Sequence, residues 1–360
     1  MNPIALITDF GHTEAYAGIL KGVILSIAPE CPVIDITHDI PAQDIFQAAI
    51  ILKKSYRYFP RGTIFMCVVD PGVGGHRKAI CLVTPQAYFV GPDNGIFTFI
   101  TEEEKIRAIY SWIIKNIAYD PEEYKKFDYN FKNYRERNQK EEITREKIIK
   151  RTLQKGIAVC EGYAMLFERL CELQGISNYL VRGDTKTNFS DIGRPFNTIH
   201  MWNVALIDGK PFLFDTTWGA GKYHQKFIKE PSYFYYKTPP DLFFNTHYPD
   251  IYEDAFISEE VSSQEFSYRP LIIEKQLLLS DIETPNKGII YTEMYFDEIQ
   301  FAITNIRTDK VTYSYGDIIL PVEKIENDNN KLSFSIPIQL GVNTLLIYFD
   351  DAPALGYLIK

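Results

Sequence analysis

The sequence predicts a multidomain α+β protein, with an α/β sheet module in front, a mixed block in the middle and a β-sandwich at the end. Three observations carry this. The chain has 360 residues, more than one ordinary core holds. Residues 1–100 alternate short apolar runs with helical spacing. Residues 262–360 alternate strand-length runs with turn signals. The expected domains are 1–100, 101–260 and 261–360.

In the first block, Ile4–Thr8 reads as a strand and Asp9-Phe10-Gly11-His12 as a turn. Ala15–Ala28 has helical spacing and stops before Pro29. Val33–Ile36 is a second strand, and Asp44–Tyr56 is a helix with Ile45, Ala48, Ala49 and Leu52 on adjacent turns. Thr63–Val69 is a near-continuous apolar strand, the kind buried on both faces of a parallel sheet. Ala79–Thr84 and Tyr88–Val90 follow as short strands.

From about residue 101 the texture changes. Glu102–Ile117 is a helix with an apolar stripe of Ile106, Ile109, Trp112, Ile113 and Ile117. Residues 120–151 read as a charged surface insertion. Cys160–Gln174 is a second helix, ended by Gly175. The final block reads as strands at Leu271–Leu279, Gly288–Phe296, Gln300–Ile306, Lys310–Tyr315, Lys331–Ile336 and Thr344–Phe349.

Composition narrows the function classes. The chain is 46% hydrophobic and 24% charged, which excludes disorder and fibrous architectures. A formal net charge of −9 argues against a nucleic-acid binder. No apolar run reaches the length of a membrane span, and the start has no basic signal region. The five cysteines, Cys31, Cys67, Cys81, Cys160 and Cys171, are few and odd in number, so a reduced, cytoplasmic setting is expected.

One constellation lies in the middle block. Cys160 opens a helix, where the positive end of the dipole favours thiolate. His200 begins His200-Met201-Trp202-Asn203-Val204-Ala205-Leu206, and Asp208-Gly209 is a hairpin signal. A two-residue loop there sets Trp202 opposite Asp215. His200 and Asp215 then become diagonal neighbours on one face. The expectation is a triad: Asp215 orients His200, and His200 keeps Cys160 ionised for acyl transfer. Gln154 is a candidate oxyanion donor, and Trp202 and Trp218 are expected to wall the pocket. His224 and His247 read as surface or packing residues. No cofactor is expected to be required at the triad, and no metal site is read.

The segments Ala158-Val159-Cys160-Glu161-Gly162-Tyr163-Ala164, Ile199-His200-Met201-Trp202-Asn203 and Phe214-Asp215-Thr216-Thr217-Trp218-Gly219 resemble the transglutaminase-like superfamily, with a kyphoscoliosis-peptidase-type core. Coverage is about 101–250. The resemblance implies a papain-like core and thiol-dependent acyl transfer on peptide or protein amides, as a protease, deamidase or transglutaminase. A non-catalytic scaffold on the same fold is an alternative.

A second constellation lies in front. Asp9 and Asp70 follow strands, each with Gly two residues on, and Arg77, Asp93 and Asn94 stand in nearby turns. The segments Thr8-Asp9-Phe10-Gly11, Val68-Val69-Asp70-Pro71-Gly72 and Pro92-Asp93-Asn94-Gly95 resemble the N-terminal part of the S-adenosylmethionine hydroxide adenosyltransferase family, relatives of fluorinase and chlorinase. That implies ribose contact by Asp9, a water-activating role for Asp70 and Arg77, and S-adenosylmethionine as candidate ligand. Adenosine-forming hydrolysis or nucleoside binding is the implied activity. The resemblance stops near Ile100, so the module reads as truncated, and the family's downstream catalytic His has no counterpart.

Overall fold

In the computed structural model the chain is a multidomain α+β protein. The described residues are 2–126, 134–295, 297–328 and 330–360. Of the charged stretch expected over 120–151, residues 127–133 lie outside them. Two compact units form, one from Met1–Ala108 with Ile207–Gly209 and the other from the remainder. Among the described residues no helix is long and apolar enough to cross a membrane.

The first unit holds β1 (Ile4–Thr8), α1 (Tyr16–Ile27), β2 (Val33–Thr37), α2 (Ile45–Ser55), β3 (Thr63–Val68), β4 (Ala79–Val83) and β5 (Ala87–Pro92). The sheet order is β2-β1-β3-β5-β4. All neighbours are parallel except β4, which runs antiparallel to β5. Asp44 caps α2 by accepting from Gln47 N–H. One sheet face packs Phe65, Cys67 and Phe89 against Ala48, Ala49 and Leu52 of α2. The other face carries α1 over Ile4, Leu6, Ile64 and Met66.

The sequence expectation that β3 is buried on both faces is corrected. Thr63, Phe65 and Cys67 are buried, while Ile64, Met66 and Val68 are only half-buried. Nothing of β3's own sequence causes this. Among the described residues its α1-side layer is incomplete.

A long helix α3 (Thr98–Asn116) follows, starting four residues earlier than the apolar stripe suggests. The second unit then contains α4 (Tyr134–Lys155), α5 (Cys160–Leu173), β6 (Asn178–Thr185), β7 (His200–Ile207), β8 (Lys210–Phe214), α6 (Thr216–Ala220), β9 (Tyr236–Thr238) and β10 (His247–Pro249). The strands form one sheet in the order β9-β8-β7-β6-β10. Helix α5 is pinned to the sheet by Asn203, which donates to the Ala164 carbonyl at 3.0 Å, and by Phe167 against Phe214.

Residues 271–360 form two further sheets. The first runs Leu271–Ile272, Ala352–Ile359, Thr344–Phe349, Val311–Ser314, Ile319–Pro321, with Ile289–Ile290 also on Ala352–Ile359. The second runs Ile282–Thr284, Glu298–Thr304, Lys331–Pro337, Ile325–Asp328. Phe301, Leu332 and Phe334 of the second share a core with Leu345, Ile347 and Tyr357 of the first. Ala352–Ile359, central to the first sheet, is a strand that turn and propensity signals do not mark, because Ala, Pro and Gly interrupt it.

Candidate metal centre

The site starts from a turn. Asp208 and Gly209 both have positive φ, 54° and 70°, as a type I′ hairpin requires. That fixes the register of β7 against β8 and brings His200 beside Asp215, with Nε2 and Oδ2 2.7 Å apart. Asp215 follows β8 and caps α6, where its Oδ1 accepts from Thr217 N–H and Trp218 N–H at 2.8 and 3.0 Å. With Oδ1 occupied, Oδ2 faces the imidazoles.

A second imidazole reaches the same oxygen. His247 lies on β10, which pairs with β6 through His247↔Thr185, and β6 pairs with β7 through Gly183↔His200. Its Nε2 is 3.1 Å from Asp215 Oδ2, and its Nδ1 is 2.9 Å from Thr246 Oγ1. All three side chains are buried, and their ligand atoms lie within 4.8 Å of one another. Trp202 stacks on His200, and Trp218 lies 4.4 Å from His247, centroid to centroid. Phe243 stacks on His247 at 3.9 Å. Gly183 makes room: a Cβ there would run into the Tyr248 carbonyl and the Trp202 ring.

Electrostatics divides the two histidines. Burial alone would lower the pKa of His200, but the Asp215 carboxylate outweighs it, with a contribution from Cys160, and lifts it to about 10. Burial dominates at His247 and pushes it down to about 4, despite the same carboxylate. Burial would raise Asp215, yet the two imidazoles hold it below the usual carboxylate range. At neutral pH the centre is therefore an imidazolium, a carboxylate and a neutral imidazole. Neutral His247 donates from Nε2 to Asp215 and accepts from the Thr246 hydroxyl at Nδ1. That hydroxyl also serves the opposite tautomer, in which Nδ1 donates and Nε2 is free to coordinate.

This corrects the sequence expectation. The buried constellation is His200-Asp215-His247, with one carboxylate oxygen shared by two imidazoles, and not a Cys160-His200-Asp215 triad. Two imidazole nitrogens and one carboxylate oxygen form a donor set suited to a divalent transition metal. The expectations of a cysteine protease or thiol acyl transferase, of no cofactor requirement and of no metal site are set aside on that finding. The reading of His247 as a packing residue is likewise corrected. Its separation from Asp215 in sequence is 32 residues, so no local motif marks it.

The remaining expected residues are placed as follows. Cys160 opens α5, half-buried, with Sγ 4.0 Å from the Ile199 carbonyl. All five cysteines are free, and burial pushes the Cys171 thiol up to about 12. Gln154 is exposed near the end of α4. Trp202 and Trp218 do line the imidazoles.

In the first unit, Asp9 follows β1 and accepts from Gln43 N–H at 2.9 Å. Asp70 lies just past β3, accepts from Gly72 N–H at 2.9 Å and pairs with Arg77 at 3.0 Å. Asn94 donates to the Val69 carbonyl at 2.9 Å, and the adjacent Asp93 donates its backbone N–H to the Lys78 carbonyl.

Comparison with known proteins gives two family matches that overlap over residues 96–130. Residues 4–130 match the SAM hydroxide adenosyltransferase N-terminal domain, and residues 96–235 match a transglutaminase-like domain family. An (R)-S-adenosyl-L-methionine hydrolase of Methanocaldococcus jannaschii is 40% identical over 34% of this chain and 45% of its own length. The kyphoscoliosis peptidase of Homo sapiens is 33% identical over 42% of this chain and 21% of its own. A solved, uncharacterized conserved protein from Thermotoga maritima is 42% identical over 28% of this chain and 39% of its own, with a TM-score of 0.28. The chain spans less than half the length of these relatives. It joins an N-terminal SAM-hydrolase-like domain to a transglutaminase-like domain related to the kyphoscoliosis peptidases.

Proposed function

We propose that the transglutaminase-like domain binds a divalent transition-metal ion through His200, Asp215 and His247. The observation that carries this is the convergence of three buried N and O donors within 4.8 Å. Three protein ligands leave a fourth position. The similarity to kyphoscoliosis peptidases supports a peptide or protein as the partner of the domain. The antiparallel sheet with α5 packed on it supports a papain-like arrangement. The core shared by the two last sheets supports a β-sandwich in the final block.

A metal held here would displace the proton that the Asp215 carboxylate favours on His200, whose pKa is raised to about 10. Affinity should therefore rise roughly tenfold per pH unit over the neutral to alkaline range, for one proton released. Calorimetric titration of the full chain with Zn²⁺ checks both points. One equivalent should bind, and His247→Ala should weaken binding by about a hundredfold. Stoichiometric binding that survives His247→Ala, or no binding at any pH, would refute the assignment.

A second reading concerns the first unit, where strand order carries it. The sheet reverses direction of growth between β1 and β3, and Asp9 and Asp70 lie just past the carboxyl ends of those two strands. Ligands of open α/β sheets bind at such a switch point. Asp9, Asp70 and Arg77, with Asp93 and Asn94 alongside, are read as a nucleoside-binding set. Adenosine should bind the full chain, and Asp9→Ala should weaken it by roughly tenfold or more, as loss of a ribose hydrogen bond does. Equal binding by the variant removes this reading.

A further inference from the structure

Within the second unit a cavity of about 580 Å³ opens between residues 241–269 and residues 278–287. That is the size of a small-ligand site. Phe244, Val261 and Ile282 form a buried apolar wall, with Ile257, Leu278 and Leu279 half-buried beside them. Arg269 stacks on this wall, its Cζ 5.2 Å from the centre of the Phe244 ring. Phe244 and the two acids whose charge Arg269 feels, Glu259 and Glu265, all line the cavity, so the guanidinium faces it. Among the described residues that guanidinium makes no hydrogen bond or ion pair. Its backbone is pinned. Lys186, 1% exposed, donates its ammonium to the Phe266 and Arg269 carbonyls at 2.9 and 3.0 Å. Gly288 packs so close to the same Arg269 carbonyl that a Cβ there would run into it. The acidic wall is pinned too. The Tyr252 hydroxyl donates to the Glu259 carbonyl and accepts from Val261 N–H at 2.9 Å. Two of the lining acids are already engaged. Glu265 accepts from the Ser262 N–H and hydroxyl at 3.3 Å each, and Glu283 pairs with Lys331. Among the described residues Asp241, Glu259, Arg269 and Lys287 have no ion-pair partner, which leaves two acids and two bases on one cavity.

We propose that this cavity binds a short zwitterionic peptide with apolar side chains, taken by both its ends. The carboxylate lies on Arg269, the ammonium on Glu259 and Asp241, and the side chains against Leu278, Leu279 and Ile282. A guanidinium stacked on a ring keeps its planar fork free, and that fork matches a carboxylate with two parallel hydrogen bonds. A plain anion would meet Glu259 and Asp241 as like charges. A plain cation would meet Arg269 in the same way. An apolar molecule would cover the guanidinium without pairing it. A ligand carrying both charges satisfies both walls. Because Lys186 and Tyr252 fix those walls in advance, little ordering is left for binding to do. The site is separate from the metal centre, since none of His200, Asp215 and His247 lines it.

Calorimetric titration of the full chain with the dipeptide leucyl-leucine tests this, with its N-acetyl and C-terminal amide forms alongside. One equivalent of leucyl-leucine should bind, and either blocking group should weaken it by roughly tenfold or more. Arg269→Gln should weaken the free dipeptide by a similar factor and erase the difference between free acid and amide. Glu259→Gln should shrink the difference between free and acetylated amine. Glu259 is exposed, so this variant should fold as the parent does by circular dichroism, and with the blocked dipeptides it decides the case if Arg269→Gln does not fold. No saturable binding into the millimolar range, equal binding of free and blocked dipeptides, or full-strength binding in both variants would each overturn the proposal.

Discussion

Asp215 and Asp70 are both carboxylates placed at or just beyond strand ends, each with a cationic partner and a backbone N–H to accept from. They differ in water. Asp215 is fully buried and its second oxygen is shared by two rings 2.7 and 3.1 Å away. The Asp70–Arg77 pair keeps 12% and 34% of its side chains exposed. Burial turns the first group into a closed unit in which every proton position affects the others, and in which losing one partner strands the rest. The second stays part-exposed, where solvent screens the pair. The same donor chemistry thus gives a buried cluster of three close donors in one unit and a part-exposed ion pair in the other.

The sharpest break of this contrast is Asp215→Ala. It leaves two imidazoles buried without their carboxylate and removes the cap of α6, so a loss of about 3–5 kcal/mol is expected in urea unfolding. Metal binding should vanish with it. Next comes Gly183→Ala, where the added methyl meets the Tyr248 carbonyl and the Trp202 ring. The backbone cannot yield as a flexible side chain would, and about 3 kcal/mol should be lost, with a shifted Trp fluorescence maximum.

Stability against pH refines the comparison. His200 is raised from its ordinary 6.5 to about 10, so its contribution is complete below pH 6.5 and is lost as pH rises through 10. His247 is depressed to about 4, so its neutral ring contributes above pH 6.5 and that contribution is lost as pH falls through 4. The depressed Asp215 adds a further loss in stronger acid. The centre should therefore stabilise most near pH 6.5, and urea midpoints should fall on both sides. His247→Phe should flatten the limb between pH 6.5 and 4 while leaving the alkaline limb in place. Arg77→Ala is the smallest effect expected. It breaks a part-exposed pair, worth about 0.2–1 kcal/mol by thermal denaturation, and salt should erase the difference.

Much of the architecture is legible in local pattern. Ile4–Thr8 and Thr344–Phe349 are strands with the bounds their apolar runs suggest. Asp208-Gly209 forms the two-residue turn, and the diagonal placement of His200 and Asp215 follows from it. Gly175 ends α5 in a positive-φ conformation. The failures share a cause. His247 joins the centre through an edge strand paired to β6, a partner more than sixty residues earlier. The open face of β3 depends on which helix does or does not cover it.

The sequence by itself determined the elements whose information is local: strand and helix periods, the turn that sets one register, and the two family resemblances carried by short contiguous motifs. Only the tertiary structure decided which groups share an environment. A pKa near 10 for one histidine and near 4 for another arises from burial and a common carboxylate, and neither quantity is written in neighbouring residues. Coverage of a sheet face is likewise a property of layers. It is fixed when distant segments come to lie on it.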